Sequence, residues 1–567
     1  MAFPGGAHIG VVRQQSAAPL PVMQLDFLNN ATLPDRITFS RGTNATLIDS
    51  TGKLTYAPNN LLTFTEQFGN VIWTQANITR VDGVTDPNGG SNACRITATA
   101  TNATFQQIGP TVAANAISSF WIRRVSGTGT INLIAPNGGF STALSVTSDW
   151  QRFSALELNR AGVVFAGVRI TTIGDAVEIA FPQAEIVTYQ TTPSTYVATT
   201  ASAYYGPRFD YDPVTLAPRG LLIEEARTNL VQQSEAFGTS PWSAYGVSTV
   251  TANATASPAG TITADLLTAN GSNGQQQTIP SVLANTAYAF SIYVKLGSVG
   301  TQIAVELSCY AGGTGGTFLG YVFSSAGRNI TSGTPVGNGW FRLTISGTTI
   351  ATTDTLVLRL LTVNTGDNFY IWGTQLELGA FATSYIPTVA STVTRNADVA
   401  TMTGTNFSSW YNQSEGTFVI DSAYSPVSGT SYGLACAFQG ASNFININNN
   451  GNRALYVFVG GVNQVDLSPG GYVAYAPAKI ASAYKVDDFA TTINARTVLT
   501  DTSGTLPVPT SFRIGRDAQE LYINNHIRTI AYFNTRLPNA QLQTLTAPSL
   551  ATTLSLDFTS GSYNVGF

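Results

Sequence analysis

The acidic side chains are the residues of this chain best suited to chemistry, because histidine and cysteine are scarce. Glycosidic bonds are hydrolysed by two carboxylates about 5–10 Å apart, and two acids at positions i and i+2 of one strand have such a spacing. Asp210 and Asp212 fit it, but they lie in a proline-bounded connector, where Asp most often caps a turn. Glu224-Glu225 and Asp487-Asp488 are adjacent, so their side chains point apart on an extended chain. Turn formation is therefore the favoured role of Asp210 and Asp212, with a cation site or an acid pair as the alternatives.

Nucleophilic catalysis and zinc binding depend on residues that the chain nearly lacks. It has 2 histidines, His8 and His526, and 3 cysteines, Cys94, Cys309 and Cys436. These residues are too far apart in sequence to predict a catalytic pair or a zinc cluster, and we interpret the cysteines as buried thiols. The chain also has no P-loop or dinucleotide-binding motif. We therefore expect a protein without enzymatic activity, and a polysaccharide-degrading enzyme is the third-ranked alternative.

Binding chemistry is better supplied than catalysis. Sugar recognition uses exposed aromatic rings against the apolar face of a pyranose and polar side chains for its hydroxyl groups. An aromatic ring at a polar strand end or between small residues is the one expected to be exposed. The candidate carbohydrate-binding residues are Trp410 and Tyr411 at a strand end, and Tyr245, Tyr310 and Tyr432 between small residues, with core packing as the alternative for each.

The isolated acids give no metal-binding motif of their own. Loop carboxylates and carbonyl oxygens are the usual ligands of calcium. Asp354, Asp367, Asp398 and Asp421 are isolated acids, and the chain has no DxDxDG run. Turn capping is therefore their favoured role.

The composition of the 567 residues predicts the elements that must position these side chains. Charged residues make up 10% of the chain, and glycine is abundant, with 53 residues. Soluble proteins usually have about 25% charged residues, and exposed helices need Lys and Glu on their outer faces. A chain of Thr, Asn, Ser, Ala and Gly is instead suited to strands and tight turns. We therefore predict an all-β protein with several domains.

Charge and hydropathy also indicate which partners to expect. The net charge is −4 and no basic run occurs, so neither nucleic acid nor an anionic membrane surface is favoured as a partner. No apolar stretch is long enough to cross a bilayer, and the first residues lack the basic and apolar regions of a signal peptide. We expect synthesis in a cytoplasm without a secretion signal.

An internal repeat is the strongest organising feature of the sequence. The segment Asn60–Trp73 matches Asn229–Trp242, including the Asn, Glu, Phe and Trp positions. Further on, Trp150 and Arg152 align with Trp340 and Arg342, and Gln183-Ala184-Glu185 aligns with Gln375-Leu376-Glu377. Two homologous antiparallel β-sandwiches are therefore predicted. The tryptophans shared by both copies, and Trp121 and Trp372 on alternating strands, are expected to pack in cores.

These repeats place the domain boundaries. A connector rich in proline separates the two copies, and a third unit follows the second. The predicted segments are an attachment arm (1–24), a β segment packing with the connector (25–59), the first jelly roll (60–200), the connector (201–228), the second jelly roll (229–394), a third sandwich (395–548) and a C-terminal tail (549–567).

The motifs of the repeats resemble carbohydrate-binding-module-like jelly rolls of tailed-bacteriophage virion proteins. The shared features are the opening N-L-x-x-x-S/T-E-x-F-x-x-x-x-W, the central W-x-R and the closing Q-L-E-x-G with T-S-Y-I-P-T. All are complete in the second copy, whereas the first copy lacks the closing part after Glu185. The segments Phe39–Leu54 and Pro207–Leu230 resemble two halves of one stretch of phage fibre proteins, with the first jelly roll inserted between them.

The third unit carries a separate resemblance. Ser511–Thr546 is similar to the end of laminin-G/concanavalin-A-like sandwiches, in which a short helix follows the last strand. Asn539–Leu545 is expected to form that helix, with Pro538 near its start and Leu542 and Leu545 facing the sheet.

Together the resemblances imply a phage virion structural protein of the fibre, spike or adhesin type that displays its sandwiches toward a host-surface glycan. The alternative is a capsid decoration or tail/collar protein that binds only other virion proteins. A homo-oligomer, by analogy with fibres a trimer, is expected on the extracellular particle. Both resembled folds often hold a structural ion through loop carboxylates, so the resemblance leaves a structural calcium ion open, with no ligands assigned. The apolar patch Ile9, Val11 and Val12 is the candidate virion attachment site, because an arm that adds a strand to a neighbouring sheet needs such side chains.

Overall fold

The computed structural model describes residues 20–298, 303–311, 314–323, 333–424, 426, 433–449, 453–471 and 473–548. Within these ranges the chain folds almost entirely into antiparallel strands with two short helices, which confirms the all-β prediction. No helix in the same ranges is long and apolar enough to cross a lipid bilayer. The candidate residues Ile9, Val11, Val12 and Tyr432 lie outside the described residues.

The chain opens with a base segment of short strands. These are β1 (Met23–Asp26), β2 (Thr38–Ser40), β3 (Thr46–Ile48), β4 (Leu54–Tyr56) and β5 (Asn59–Asn60). Strands β3 and β4 pair with each other, whereas β1 and β2 pair with strands near the other end of the chain. Met23 and Leu25 of β1 are buried, so the boundary expected after residue 24 falls inside a strand of the body.

The first sandwich follows the base segment. Its strands are β6 (Thr74–Ala76), β7 (Ile78–Val84), β8 (Ala93–Ala98), β9 (Ala103–Ser126), β10 (Ile131–Ile134), β11 (Gln151–Ile170) and β12 (Ala176–Val187). Phe105 at one end of β9 and Phe120 near the other end bury their rings in one core. The long strands β9 and β11 therefore run through both layers, with register shifts in β11 between Glu157 and Phe165.

The connector then returns to the base. It contributes β13 (Tyr204–Tyr205), β14 (Arg208–Tyr211), β15 (Pro218–Ile223) and β16 (Arg227–Asn229). Strand β13 pairs with β5, so the two ends of the first sandwich lie side by side. The backbone N–H of Gly206 donates to the Pro58 carbonyl at 2.7 Å and continues this contact between base segment and connector.

The second sandwich consists of a five-stranded and a six-stranded sheet. The five-stranded sheet has the order β17-β20-β26-β22-β23 and the six-stranded sheet β18-β19-β27-β21-β25-β24. Its strands are β17 (Ser243–Tyr245), β18 (Ser248–Ala256), β19 (Ile262–Ala269), β20 (Gly274–Pro280), β21 (Ala287–Leu296), β22 (Ile303–Ala311), β23 (Thr314–Phe323), β24 (Thr334–Pro335), β25 (Trp340–Thr348), β26 (Thr355–Thr362) and β27 (Asn368–Leu378).

The C-terminal part completes a third sandwich with an eight-stranded and a seven-stranded sheet. Its elements are β28 (Val393–Arg395), β29 (Val399–Thr403), α1 (Thr405–Ser408), β30 (Glu415–Ala423), β31 (Gly433–Gly440), β32 (Asn443–Asn448), β33 (Leu455–Val459), β34 (Val462–Leu467), β35 (Pro477–Lys485), β36 (Phe489–Ile493), β37 (Leu499–Asp501), β38 (Ser511–Ile514), β39 (Asn525–Phe533) and α2 (Asn539–Thr546). Helix α2 buries Leu542 against the sheet with Leu545 packed beside it, which confirms the predicted C-terminal helix.

The third sandwich takes strands from distant parts of the chain. Strands β1, β14 and β15 belong to its eight-stranded sheet and β2 to its seven-stranded sheet. Strand β16 pairs with β28, as β5 pairs with β13. Both jelly rolls are thus inserted into one continuous body, each through a neck of two short paired strands.

A buried ion-pair network holds this body together. Arg208, which is 0% exposed, pairs with Glu224 at 2.6 Å and with Asp398, and Asp398 pairs with Arg41 at 2.7 Å. Burial opposes the charge of Asp398, but the neighbouring arginines outweigh it and hold the pKa of that carboxyl below its ordinary value. The backbone N–H of Ser384 donates to Glu224 at 2.8 Å and ties the second sandwich to the network.

The structure corrects two expectations about acids that were predicted to form turns. Asp398 is a buried ion-pair partner of two arginines and does not cap a turn. Asp210 accepts the Ile48 N–H at 2.6 Å and contacts His526 Nε2 at 2.8 Å, so it joins strands instead of forming a turn. Asp212 does cap one, since it accepts the N–H groups of Val214 and Thr215.

Candidate functional site

The residues that repeat in both jelly rolls are structural. Asn229 donates to the carbonyls of Thr374 and Ile386 and accepts the N–H groups of Val231 and Leu376. Asn60 makes the corresponding four bonds in the first sandwich. An Asn side chain that satisfies four buried backbone groups is fixed by the fold. Repetition of this asparagine therefore marks the scaffold and not a binding surface.

The repeated tryptophans behave in the same way, with one exception. Trp73 and Trp242 are buried, and each indole N–H donates at 3.0 Å to a backbone carbonyl nine residues earlier in the chain. Trp340 is also buried. The core prediction is thus confirmed for these three residues. Trp150 is only half-buried, and it packs on the outside of a sheet.

The closing Gln-x-Glu motif makes the same kind of hydrogen bonds in both copies. It does so although the sequence that follows the motif differs in the first copy. Glu377 accepts the Thr383 N–H at 2.9 Å, and Glu185 accepts the Ser194 N–H at 3.1 Å. Gln375 binds backbone groups in the segment that contains Thr383, and Gln183 binds backbone groups in the segment that contains Ser194. The motif fastens the end of each jelly roll to its last strand.

The two candidates in the third sandwich lie in its core. Trp410 is 7% exposed and packs among Phe407, Phe512 and Tyr532. Tyr411 is half-buried, stacks on Phe407 at 4.7 Å, and has a hydroxyl group shielded from solvent. Burial raises the pKa of Tyr411 above its ordinary value. Neither ring presents an open face to a sugar in this structure.

The other two candidates meet on the five-stranded sheet of the second sandwich. The Arg359 guanidinium lies 4.7 Å from the Tyr245 ring centre and 5.9 Å from that of Tyr310. Arg359 also donates to the Tyr310 hydroxyl at 2.8 Å, to Glu306 at 2.5 Å and to Gln276 at 3.3 Å. We name this group of five residues the Tyr–Arg cluster.

The strand register explains why these five residues meet. Arg359 of β26 lies opposite Gln276 of β20 on one side and opposite Glu306 of β22 on the other. The neighbouring β26 residues Leu358 and Leu360 point into the core, so Arg359 points outward by the alternation of a strand. The cluster therefore lies on the outer face of the sheet.

A glycine brings Tyr245 into place. Tyr245 of β17 lies opposite Gly274 of β20. A Cβ atom at position 274 would collide with the Leu360 carbonyl oxygen. Only glycine therefore allows β20 to approach β26 this closely, and β17 then carries the tyrosine ring beside Arg359.

The cluster combines a fixed charge with an exposed ring. Tyr245 is 38% exposed, whereas Glu306 is 4% exposed and is also held by the Ser308 hydroxyl at 2.6 Å. Desolvation opposes the charge on Arg359, but Tyr310 and Glu306 outweigh it and raise the pKa of the guanidinium. A permanently charged donor thus stands beside an accessible aromatic face.

The first sandwich keeps only one of the five side chains. Gln106 corresponds to Gln276, but its strand partner is Gly167 where the second sandwich has Arg359. Ile134 and Ala76 stand at the positions that correspond to Glu306 and Tyr245. A Cβ atom at Gly167 would lie 2.5 Å from the Phe105 carbonyl oxygen, so no side chain fits there.

Sequence reasoning missed Arg359, Glu306 and Gln276. A signal was present, since Arg359 and Glu306 interrupt the apolar strands TLVLRLLT and IAVELSCYA. A charge at an outward position of such a strand needs a partner, and each of these residues is the other's partner.

The described residues contain no group of three or more His, Cys, Asp or Glu side chains placed to hold a metal ion. Asp421 pairs with Arg528 at 3.1 Å, and Asp367 accepts the Asn364 N–H at 3.3 Å. Cys94, Cys309 and Cys436 are buried free thiols, as predicted.

No protein-family model matches this chain, and no curated protein matches it. Among solved structures, the N-terminal CBM22-1–CBM22-2 tandem domain of Paenibacillus barcinonensis Xyn10C is 12% identical over 57% of this chain and 98% of its own, with a TM-score of 0.23. The C-terminal family 22 carbohydrate-binding module of Clostridium thermocellum Xyn10B is 19% identical over 28% of this chain and 97% of its own, with a TM-score of 0.21. The enzymatically active domain of bacteriophage CBA120 tailspike protein 4 is 14% identical over 27% of this chain and 21% of its own, also with a TM-score of 0.21. These identities and scores are too low to identify a ligand for this chain.

Proposed function

We propose that the chain is a glycan-binding protein whose binding surface is the Tyr–Arg cluster of the second sandwich. The observation that carries the proposal is the contact of Arg359 with Tyr245, Tyr310 and Gln276 on one outer sheet face. The Tyr245 ring supplies the flat apolar surface on which a pyranose stacks. Gln276 and the guanidinium supply hydrogen bonds for its hydroxyl groups.

The same geometry favours binding over hydrolysis at this face. Glu306 is the acidic member of the cluster, and Arg359 and Ser308 already hold its carboxylate. Cleavage of a glycosidic bond requires a second carboxylate about 5–10 Å away. A polysaccharide-degrading enzyme stays the third-ranked proposal.

The biological setting that we propose is a tailed-phage virion, where the chain serves as a fibre, spike or adhesin that contacts a host-surface glycan. The support is the sequence resemblance of both jelly rolls and of the flanking base segment to such proteins. A capsid decoration or tail/collar protein that binds only other virion proteins remains the alternative. Homo-oligomerisation, attachment through residues 1–24 and release with the particle are part of the same proposal.

The test is binding of the full-length chain to a glycan array and to host-cell polysaccharide, followed by titration of the best ligand. Tyr245→Ala should lower the affinity for that ligand about tenfold, or about 1.4 kcal/mol. The exposed ring makes no hydrogen bond to the core in the described residues, so the melting temperature should stay unchanged.

A matched control lies on the first sandwich. Phe140 is 50% exposed, and the Arg169 guanidinium stands 3.7 Å from its ring centre, but this pair has no counterpart of Tyr310 or Glu306. Phe140→Ala should leave the affinity unchanged. Glycan binding that survives Tyr245→Ala would move the site elsewhere. Failure of the chain to bind any glycan, with normal incorporation into particles, would favour the decoration alternative.

A further inference from the structure

The outer faces of the two jelly rolls differ in what covers them. In the second sandwich the face of the β18-β19-β27-β21-β25 sheet buries Trp340, Trp372 and Tyr293, and Leu54 of the base segment packs against them. The Trp340 indole donates to the Ala256 carbonyl at 3.1 Å. This face is an internal contact of the molecule.

The corresponding face of the first sandwich keeps its aromatic residues half-exposed. Strand pairing places Trp121 opposite Ala180, where the second sandwich has Tyr293 opposite Trp372. Trp121 and Trp150 pack around Phe181 and are only partly buried. The indole nitrogen of Trp150 makes no hydrogen bond within the described residues.

A row of charged residues runs across the same face. Glu178 lies opposite Arg95 on one side and opposite Arg123 on the other. Its carboxylate, which is 2% exposed, binds Arg95 at 2.7 Å and Arg123 at 2.5 Å. The corresponding positions of the second sandwich are Leu266, Tyr370 and Lys295.

The row contains two arginines and one glutamate, so one positive charge has no negative partner within the row. Solvent reaches both guanidinium groups. The side chains of Arg95 and Arg123 are 44% and 31% exposed. Burial alone would raise the pKa of Glu178, but the bonds from both arginines outweigh it and lower that pKa. The carboxylate therefore stays charged and fixes the two cations side by side.

An aromatic ring stands next to the cations. The Arg123 guanidinium lies 4.9 Å from the Trp150 ring centre. Arg123 uses its Nε to bind Glu178, so the two terminal nitrogens are the atoms available to a ligand. A guanidinium binds a carboxylate well through such paired donors.

The geometry points to a second ligand site on this face, built from Arg95, Arg123, Trp121 and Trp150, that binds an acidic saccharide. The carboxylate of the sugar pairs with Arg123 and Arg95, and its ring packs against the indoles. A protein partner is the less favoured occupant, because the protein-covered face of the second sandwich carries Leu266 and Tyr370 where this face carries Arg95 and Glu178. The site is separate from the Tyr–Arg cluster and does not depend on it.

The test uses the full-length chain and a panel of galacturonate, glucuronate and sialate oligosaccharides, each paired with its methyl ester. Calorimetric titration should show binding of at least one free acid and at least tenfold weaker binding of its ester. Raising the salt concentration should weaken the acid complex, since the pair is exposed to solvent. Arg123→Gln should reduce affinity for the acid at least tenfold, and Arg95→Gln should reduce it less.

Two control variants check that the acid binds at these two arginines. Arg80→Gln removes the same charge from a residue of the first sandwich that pairs with Asp82 at 2.8 Å, and it should leave the affinity unchanged. Tyr245→Ala should also leave acid binding intact, even if it abolishes binding at the Tyr–Arg cluster. Equal affinity for acid and ester, no binding of any acid, or a change in oligomeric state instead of affinity in folded Arg123→Gln would each overturn the proposal.

Discussion

The two jelly rolls are built with the same internal bonds and carry different outer faces. Asn60 and Asn229 join equivalent backbone groups, and Trp73 and Trp242 close equivalent cores. The positions of the Tyr–Arg cluster, by contrast, keep only the glutamine that corresponds to Gln276. The difference teaches that the duplicated Asn residues and core Trp residues maintain the fold, whereas the members of the Tyr–Arg cluster other than Gln276 lie where the two copies differ.

The two sandwiches also differ in how their layers connect. In the first, β9 and β11 pass without a break from one layer to the other. In the second, the corresponding stretches are interrupted, as β20 and β21 and as β25 and β26. The hydroxyl group of Tyr288, just after the first interruption, accepts the Leu283 N–H at 2.9 Å and holds the intervening turn. In the second sandwich β22 pairs with β26 and places Glu306 beside Arg359, and β23 adds a further strand on the far side of β22.

The strongest test of the shared scaffold is the removal of its tryptophans. Trp73→Ala and Trp242→Ala should each lower the free energy of unfolding by about 3–5 kcal/mol, because a buried indole leaves a cavity. Each loss should appear in the transition of its own sandwich when unfolding is followed by calorimetry. The two variants control each other, and an effect confined to one of them would contradict an equivalent role.

The scaffold was predictable from the sequence because it rests on residue types that recur. Burial of Trp73 and Trp242 was predicted from their repetition, and burial of the three cysteines from their separation in the sequence. The helix near Leu542 was predicted from the resemblance of its segment and from the position of Pro538. The composition of the third sandwich was not predictable. Strands β1, β2 and β14 join it by backbone pairing, which leaves no signature in residue type.

The candidate site was predictable only in part. Small flanking residues led to Tyr245 and Tyr310, and the structure brings both to Arg359. A different criterion, a position at a polar strand end, selected Trp410, and its ring is buried against Tyr532 in the core. Whether an aromatic ring at a strand end points inward depends on long-range packing, which a local sequence window does not contain.

A second test compares two carboxyl groups that the repeat makes equivalent. Burial raises the pKa of Glu235 to about 7, and Tyr385 donates to its Oε1 at 3.0 Å. Burial also raises the pKa of Glu66. A carboxyl with a raised pKa binds more protons in the folded than in the unfolded state, so stability is highest at low pH and falls as the pH rises from the unfolded value of about 4.5 to about 7.

For the second sandwich we therefore expect a loss of about 2 kcal/mol between pH 5 and pH 8 that is absent in Glu235→Gln. Glu66→Gln should change the pH dependence of the first sandwich by less, because the pKa shift of Glu66 is smaller. Denaturant unfolding at both pH values measures this difference. A pH dependence that persists in Glu235→Gln would assign the effect to other buried acids of the sandwich, such as Glu377.

The smallest effect is expected from the largest change, removal of the first sandwich. Asn60 and Tyr204 are strand partners at its neck, so deletion of residues 61–203 and insertion of an Asn-Gly turn would close the gap without moving the base. The ion-pair network of Arg208, Glu224 and Asp398 lies outside the deleted part.

The second and third sandwiches should then melt within a few degrees of their original temperatures. Ligand binding at the Tyr–Arg cluster should be kept, while binding of acidic saccharides should be lost. An insoluble product, or loss of the remaining transitions, would show that the contacts of the first sandwich with the base, such as that of the Tyr189 ring with Lys53 at 4.0 Å, are required for folding of the body.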